Sequence, residues 1–177
     1  MIAYHIDRTN SLKEGDIIEL QIFDDIKPAF LGQILNSNYP EGLSRHGGLY
    51  YISQSNQVNM KEFILENLLE YERLLKFPDK VSRFESFFAS QTLDEALIWK
   101  SILSHNPLDK FTIWEVEFNH ENYLHLDSSW LYCDIYNFSP LYTAFFANKY
   151  WSGETSENPK MELLIKPPIK IVKKVNR

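Results

Sequence analysis

Three polar side chains stand within apolar, strand-forming sequence, and each is of a type that can do chemistry. His5 lies in "AYHIDR", Arg83 precedes the apolar residues "FFA", and Glu162 lies at the start of "MELLI". A histidine or a carboxylate can hold a hydroxyl group or transfer a proton, and a planar guanidinium binds phosphate oxygens or a carboxylate. A lone strand histidine is more often a satisfied core residue, and a glutamate at a strand start is commonly solvated. Each signal is therefore weak alone.

The stretch "SRFESFFAS" predicts a short buried strand with polar neighbours. Residues 87–89 are apolar, Ser86 and Ser90 bracket them, and Arg83 precedes them. Phe88 lies at the centre of this strand. Small hydroxyl residues, adjacent rings and a nearby arginine could belong to an ordinary core strand with an ion-paired arginine, or to the wall of a binding site.

Two helices are predicted with defined ends. Thr92 and Glu95 have the spacing of a capping box, so one helix begins at about Leu93. Its buried side is predicted to contain Leu93, Ala96, Leu97 and Ile98. The segment "VNMKEFILENLLEYERLLK" predicts the other helix, which Pro78 ends. Its apolar stripe consists of Met60, Phe63, Ile64, Leu68, Tyr71, Leu74 and Leu75.

The remaining segments favour an α+β fold. "IAYHI", "DIIELQIF", "FTIWEVEF", "YLHLD", "MELLI" and "IKIVKKV" read as strands, and a helix is expected from Ser139 and Pro140 through "LYTAFFANKYW". Residues 24–48, which are rich in glycine and proline, read mostly as loop with one short helix. A doubly wound sheet would require strands and helices to alternate regularly, and in this sequence they do not.

Length and composition indicate one domain, residues 1–177, with a substantial core, because 44% of the residues are hydrophobic. The net charge of -6 argues against binding to nucleic acid or anionic membrane by charge alone. Cys133 is the single cysteine, so an internal disulfide is excluded and the cytoplasm is the expected compartment. We expect no secretion signal and no membrane span, since no apolar run approaches about 20 residues.

The common cofactor and nucleophile signatures are missing from the sequence. It contains no phosphate-binding glycine-rich loop with lysine, no GxGxxG, no GxSxG, no HExxH and no paired CxxC. His120, His125 and Asp127 are the nearest approach to a metal site, but their spacing is unspecific and scattered surface residues explain them better. We therefore predict no metal.

Several segments together resemble the ADP-ribosyltransferase fold. "YHIDR" with Gly15 downstream is similar to the opening of that superfamily, and "FFASQTLDEALIW" resembles the aromatic-x-x-x-Thr-Leu-Asp-x-Ala-x-x-Trp pattern of the rifampin-modifying branch. "TIWEVEF" followed by "HLD" resembles the next strand of that branch and its functional aspartate. The run from "SRFESFFAS" through "KYW" to "MELLI" is also similar to uncharacterised bacterial ADP-ribosyltransferase-like proteins. Residues 24–60 are unmatched.

The resemblance implies two small, mostly antiparallel sheets with flanking helices, and NAD as co-substrate. His5 would hold a ribose hydroxyl, the backbone at Ile6 would hold the nicotinamide amide, and Arg83, or Arg8 as a second candidate, would bind the pyrophosphate. Phe88 would stack on nicotinamide. Because their side chains are small, Ser86 and Ser90 would let NAD approach the strand.

Two questions about this implied site stay open in the sequence. The catalytic acid is either Glu162, which matches the wider superfamily, or Asp127, which matches the rifampin type. The strand aromatic of the family is usually tyrosine, and Phe88 cannot donate a hydroxyl hydrogen bond.

The implied activity is NAD-dependent mono-ADP-ribosyl transfer by a bacterial toxin or phage-defence effector. A nucleic-acid acceptor, RNA or DNA, is favoured over protein, and a neutralising antitoxin is a possible partner. The alternatives are a protein or small-molecule acceptor, NAD glycohydrolysis, and an inactive family member that binds a nucleotide or a partner protein. The missing tyrosine favours the last of these.

Overall fold

The backbone of the chain forms two small sheets with helices around them. The computed structural model describes residues 1–51, 59–104, 106, 109–131 and 140–175, so Cys133 and Ser139 lie outside the described residues. Within these ranges the strands are Ile2–Asp7 (β1), Ile17–Ile18 (β2), Phe87–Ala89 (β3), Thr112–Phe118 (β4), Tyr123–Asp127 (β5), Met161–Ile165 (β6) and Ile169–Lys174 (β7). The helices are Ala29–Asn38 (α1), Arg45–Tyr51 (α2), Met60–Lys76 (α3), Leu93–Leu103 (α4) and Pro140–Ser152 (α5), with 3₁₀ turns at Arg83–Glu85 and Ser128–Leu131.

All strand pairs are antiparallel. One sheet has the order β1-β4-β7-β2, and the other has the order β3-β6-β5. A bridge joins the two sheets: Tyr4 N–H donates to Ser90 O at 2.9 Å and Ser90 N–H donates to Tyr4 O at 2.8 Å. The predicted α+β class with two small antiparallel sheets is confirmed.

Alternation along the strands assigns side chains to two apolar layers. Leu163 and Ile165 point into a cluster shared with residues of the other sheet, such as Ala3 and Val116. Leu164 points the opposite way, into a cluster that contains Leu69, Leu126, Ala147, Tyr150 and Trp151. Helices α3 and α5 cover this second face. No helix in the described ranges is long and apolar enough to cross a membrane.

The predicted strand and capped helix at residues 87–103 are confirmed. Thr92 Oγ1 accepts from Glu95 N–H at 3.2 Å, and the Glu95 carboxylate accepts from Thr92 N–H at 3.0 Å. Ala96 is buried as predicted, but the prediction for Ile98 is wrong, because its side chain is 59% exposed. At 100° per residue, Ile98 lies on the opposite side of the helix from Ala96, and the buried side is only one face wide.

The region between Asp16 and Gly48 differs from its prediction. Only Ile17–Ile18 of the predicted strand "DIIELQIF" pairs as a strand, and two helices, α1 and α2, replace the predicted loop with one short helix. Gly47, one of the glycines that made this segment read as loop, lies inside α2. A Cβ at Gly47 would lie 2.3 Å from the carbonyl oxygen of Phe84, so the glycine permits close packing of α2 on the 3₁₀ turn.

Helix α3 turns its polar side inward. The helix that the apolar stripe predicted is confirmed, but most of the stripe is exposed, since Met60 and Tyr71 are 69% and 62% exposed and other stripe residues are exposed too. The buried face instead contains Glu66, Glu70 and Arg73, which are spaced three and four residues apart. These charged side chains are hydrogen-bonded. The Glu70 carboxylate accepts from Arg73, Tyr39 and Ser82, and the Glu66 carboxylate accepts from Arg83. Satisfied polar groups therefore set the orientation of this helix.

Candidate functional site

A cleft of about 330 Å³ lies where the two sheets meet. Strand β1 and the residues after it form one wall, and strands β3 and β6 form the other. Helix α2 adds His46, and helix α4 closes a further side. The lining residues are Tyr4, His5, Ile6, Arg8, His46, Arg83, Phe88, Ala89, Ser90, Trp99, Leu103 and Glu162.

Arg83 is the centre of the buried charges beside the cleft. Its Nε and Nη2 donate to the two carboxylate oxygens of Glu66, both at 2.9 Å, and its Nη1 donates to Tyr150 Oη and to Glu162 Oε1, both at 2.7 Å. Burial opposes the charge on Arg83, but Glu66, Tyr150 and Glu162 raise its pKa well above the usual value. Four of the five N–H donors are therefore used within the protein.

Glu162 is the carboxylate that opens toward the cleft. Its Oε1 accepts from Arg83 and from Tyr150 Oη, the latter at 2.8 Å, and these described hydrogen bonds leave Oε2 for other groups. Burial raises the pKa of Tyr150 well above its usual value, so its hydroxyl stays protonated and donates. Two donors on one oxygen fix the orientation of the carboxylate.

Phe88 and Glu162 point to the same face of their sheet. Phe88 pairs with Leu164, and Glu162 is two residues from Leu164 on β6, so all three side chains share a face. The guanidinium of Arg83 lies over the Phe88 ring, 4.9 Å from its centroid, and the His46 ring centroid is 4.8 Å away. Phe88 is thus an aromatic wall of the cleft that already contacts a cation.

The open edge of β1 faces the same cleft. β1 is an edge strand, and Tyr4 directs its N–H and C=O outward to Ser90 rather than to β4. In an antiparallel pair this direction alternates, so Ile6, two residues later, also directs its N–H and C=O to the open edge. His5 Nδ1 contacts the carbonyl oxygen of Phe88 at 2.7 Å and must donate to it.

Burial lowers the pKa of His5, against a smaller raising effect of its hydrogen bond to Phe88. The ring is therefore neutral near pH 7. Since Nδ1 carries the proton, Nε2 has the lone pair and can accept a hydrogen bond.

Two exposed arginines stand near the mouth of the cleft. Arg8 lines it, and Arg45, at the start of α2, donates to Thr9 Oγ1 at 3.3 Å. The charge of Arg45 also contributes to the lowered pKa of His5. Unlike Arg83, both arginines are exposed to solvent and can meet a charged ligand.

Two of the predicted site residues lie away from the cleft lining. Ser86 is buried and donates to Ser82 O at 2.6 Å. Asp127 points to the opposite face of its sheet from its neighbour Leu126, which is paired with Glu162. The Asp127 carboxylate accepts from the backbone N–H groups of Ser129, Ser156 and Lys160 at 2.9, 2.7 and 2.9 Å. These contacts give Asp127 the role of holding loops together.

We expect Asp127→Asn to lower the free energy of unfolding at pH 7 by about 1–3 kcal/mol, because an amide cannot accept all of these backbone bonds. Burial opposes ionisation, but the bonds from Ser156, Ser129 and Lys160 lower the pKa of Asp127 to about 2. Its stabilisation is therefore complete above the unfolded pKa, near 4, and is lost as pH falls through about 2.

Denaturant unfolding followed from pH 7 to pH 2 measures this effect. The difference between the parent and Asp127→Asn should shrink between pH 4 and pH 2, while the exposed control Asp79→Asn should follow the parent throughout. A constant difference across that range would contradict the assignment.

Three residues of the site were missed by sequence reasoning: His46, Glu66 and Tyr150. Glu66 carried a readable signal, since it repeats with Glu70 and Arg73 at helical spacing on one side of α3. Tyr150 lies within the quoted "KYW" but was given no role. His46 had no signal, because it lies in the unmatched residues and reaches the site only through the close packing that Gly47 permits.

Comparison with known proteins gives a family. Residues 3–177 match the model of a family described as protein of unknown function (DUF2441). The chain belongs to this family. No curated protein matches the chain. The DUF2441 match spans residues 24–60, so α1, α2 and His46 fall inside the family region. Among the described residues of this DUF2441 chain, no group of three or more histidine, cysteine, aspartate or glutamate side chains could hold a metal ion.

Proposed function

We propose that the protein is an NAD-dependent mono-ADP-ribosyltransferase that binds NAD in the cleft between the sheets. The observation that supports this function is that most of the predicted site residues come together in one cleft. Seven of the nine residues predicted for the NAD site and its chemistry line one cleft, although they come from distant parts of the chain: His5, Ile6, Arg8, Arg83, Phe88, Ser90 and Glu162.

The reaction breaks the bond between nicotinamide and ribose. Nicotinamide leaves as a neutral molecule, and positive charge builds on the sugar in an oxocarbenium-like state. A fixed carboxylate beside the sugar stabilises that charge without reorganisation. Glu162 fits this role because Arg83 and Tyr150 hold one oxygen while Oε2 remains for the ribose.

The β1 wall suits the nicotinamide riboside part of NAD. A carboxamide offers one acceptor and two donors, and the outward C=O and N–H of Ile6 match both kinds of group. Nε2 of neutral His5 accepts a hydrogen bond from a ribose hydroxyl.

We assign the pyrophosphate to Arg8 rather than Arg83. The guanidinium of Arg83 is 6% exposed and donates to two carboxylates, so phosphate would have to displace these partners. Arg8 is exposed and lines the cleft. Arg83 then acts on the site by orienting Glu162.

The charges near the mouth of the cleft indicate the class of acceptor. With Arg8 assigned to the pyrophosphate, Arg45 is a second exposed cation near the mouth of a cleft in a chain of net charge -6, which supports an anionic acceptor such as RNA or DNA for a toxin or antiviral effector. Incubation with labelled NAD and a cell lysate, followed by separation of RNA, DNA, protein and small molecules, identifies the labelled class. Label in protein alone would contradict a nucleic-acid acceptor.

We expect the protein to bind NAD in preference to ATP, because the β1 wall and Phe88 contact the nicotinamide half. Isothermal titration calorimetry with NAD, nicotinamide mononucleotide and ATP measures this preference. NAD and the mononucleotide should both bind, and ATP more weakly. The absence of binding at millimolar NAD would contradict the cofactor assignment, since even a weak site is detectable there.

If Phe88 stacks on nicotinamide, Phe88→Ala should weaken NAD binding by about 1–3 kcal/mol, through loss of a buried ring and its stacking partner. Phe88→Tyr should retain NAD binding and melting temperature, because the ring lines a cleft with room for a hydroxyl. Calorimetry and thermal melts of both variants test this. An unstable tyrosine variant, beside an alanine variant with normal NAD affinity, would show that the ring serves only the core.

A further inference from the structure

His46 is a cleft residue that the proposed NAD contacts do not use. Its side chain is 22% exposed, and Nε2 lies 3.3 Å from Glu66 Oε2. Its ring centroid is 4.8 Å from the centroids of both Tyr50 and Phe88. The imidazole is thus held on three sides by a carboxylate and two rings, yet still borders the cleft.

Glu66 is a fixed anion behind this imidazole. Burial opposes its ionisation, but the charge of Arg83 and the contact with His46 outweigh burial and hold the pKa of Glu66 well below its usual range. Arg83 donates to both of its oxygens. Glu66 therefore keeps its charge and its position whether or not a ligand is bound.

A carboxylate beside one imidazole nitrogen selects a tautomer. Nε2 is 3.3 Å from Glu66 Oε2 without the alignment of a hydrogen bond, and the adjacent carboxylate favours the proton on Nε2, which leaves the lone pair on Nδ1. This is the arrangement of a general base whose cation is balanced by an adjacent carboxylate. Among the described residues, the other ionisable groups near His46 are Arg83, whose Nε donates to the same Glu66 oxygen, and the Tyr50 hydroxyl.

We propose that His46 is the general base that takes the proton from the acceptor during ADP-ribosyl transfer. The inference rests on the proposed function. The bond from ribose C1′ to the nicotinamide nitrogen breaks and its electron pair leaves with nicotinamide. A lone pair on an oxygen or nitrogen of the acceptor forms the new bond to C1′, and the proton of that atom moves to His46 Nδ1 and then to solvent.

This role divides the chemistry between two groups. Glu162 faces the positive charge of the sugar, and its Oε1 is engaged by Arg83 and Tyr150. An imidazole is the stronger base of the two kinds of group and is better matched to proton transfer near neutral pH. A neutral leaving group needs no proton, so a single base is enough.

Two variants and one control test the role of His46. His46→Gln keeps a polar side chain beside Glu66 but has no basic nitrogen, and His46→Ala leaves space that added imidazole can occupy. His120→Gln, at an exposed turn, is the control. NAD affinity, melting temperature, nicotinamide release and label transfer are measured for each. We expect both His46 variants to bind NAD within about twofold of the parent and to transfer about 100-fold more slowly, with imidazole restoring part of the rate to His46→Ala.

The outcomes separate this inference from the proposed function. Transfer by His46→Gln at the rate of the parent would overturn the role of His46 alone. A joint fall of NAD affinity and melting temperature in both variants, with no rescue by imidazole, would make His46 a structural residue and would also overturn it. A parent protein that neither binds NAD nor releases nicotinamide would contradict the proposed function itself.

Discussion

Glu162→Gln should reduce ADP-ribosyl transfer by about 100-fold or more, while NAD affinity and melting temperature stay close to those of the parent. The substitution removes the charge that stabilises the oxocarbenium-like sugar, an effect of about 10²–10³ in rate for a preorganised electrostatic contact. The amide oxygen of glutamine can still accept from Arg83 and Tyr150, and the side-chain volume hardly changes. Single-turnover transfer of labelled ADP-ribose measures the rate.

Asp127→Asn is the matched control, since it makes the same chemical change in a carboxylate that points away from the cleft. It should lose stability but retain most of the transfer rate per folded molecule. Equal turnover by Glu162→Gln and the parent would remove the catalytic role from Glu162.

Arg83→Met should lower the free energy of unfolding by about 3–5 kcal/mol, because it leaves Glu66 and Glu162 buried without their cation. Methionine is a flexible apolar side chain of similar length, so lost packing contributes little. Urea denaturation, followed by tryptophan fluorescence, measures the change.

Two further variants test the cause. Arg83→Met combined with Glu66→Gln should be more stable than Arg83→Met alone, because one of the two unpaired charges is gone. Arg45→Met removes an exposed arginine near the same cleft and should change the free energy by less than about 0.5 kcal/mol. A loss of under about 1 kcal/mol in Arg83→Met would contradict a coupled buried network.

Local signals in the sequence predicted local structure well. The capping box of Thr92 and Glu95 and the alternation in "FTIWEVEF" depend on residues a few positions apart, and both predictions are confirmed. Helix α3 shows the limit of such signals. Its apolar stripe predicted the helix correctly, but the partners of its buried face, Arg83, Tyr39 and Ser82, lie elsewhere in the chain and leave no mark in the local pattern.

The site could be predicted only as far as the sequence shows which face of its strand each side chain occupies. Glu162 and Phe88 both fall on the face of Leu164, whereas Asp127 falls on the other face, and this difference follows from the register of β3, β5 and β6. A register is a property of strand pairs far apart in the chain. His46 depends on a similarly distant contact, the approach of α2 to Phe84.

The junction between the sheets has a mechanical consequence. One wall of the cleft belongs to the sheet of β1 and the other to the sheet of β3 and β6, and within the described ranges the two backbones exchange one pair of hydrogen bonds here, between Tyr4 and Ser90. A ligand that contacts His5 on one side and Glu162 on the other is a non-covalent cross-link between the two sheets. Its binding energy then also opposes their separation, in addition to the apolar cluster that the sheets share.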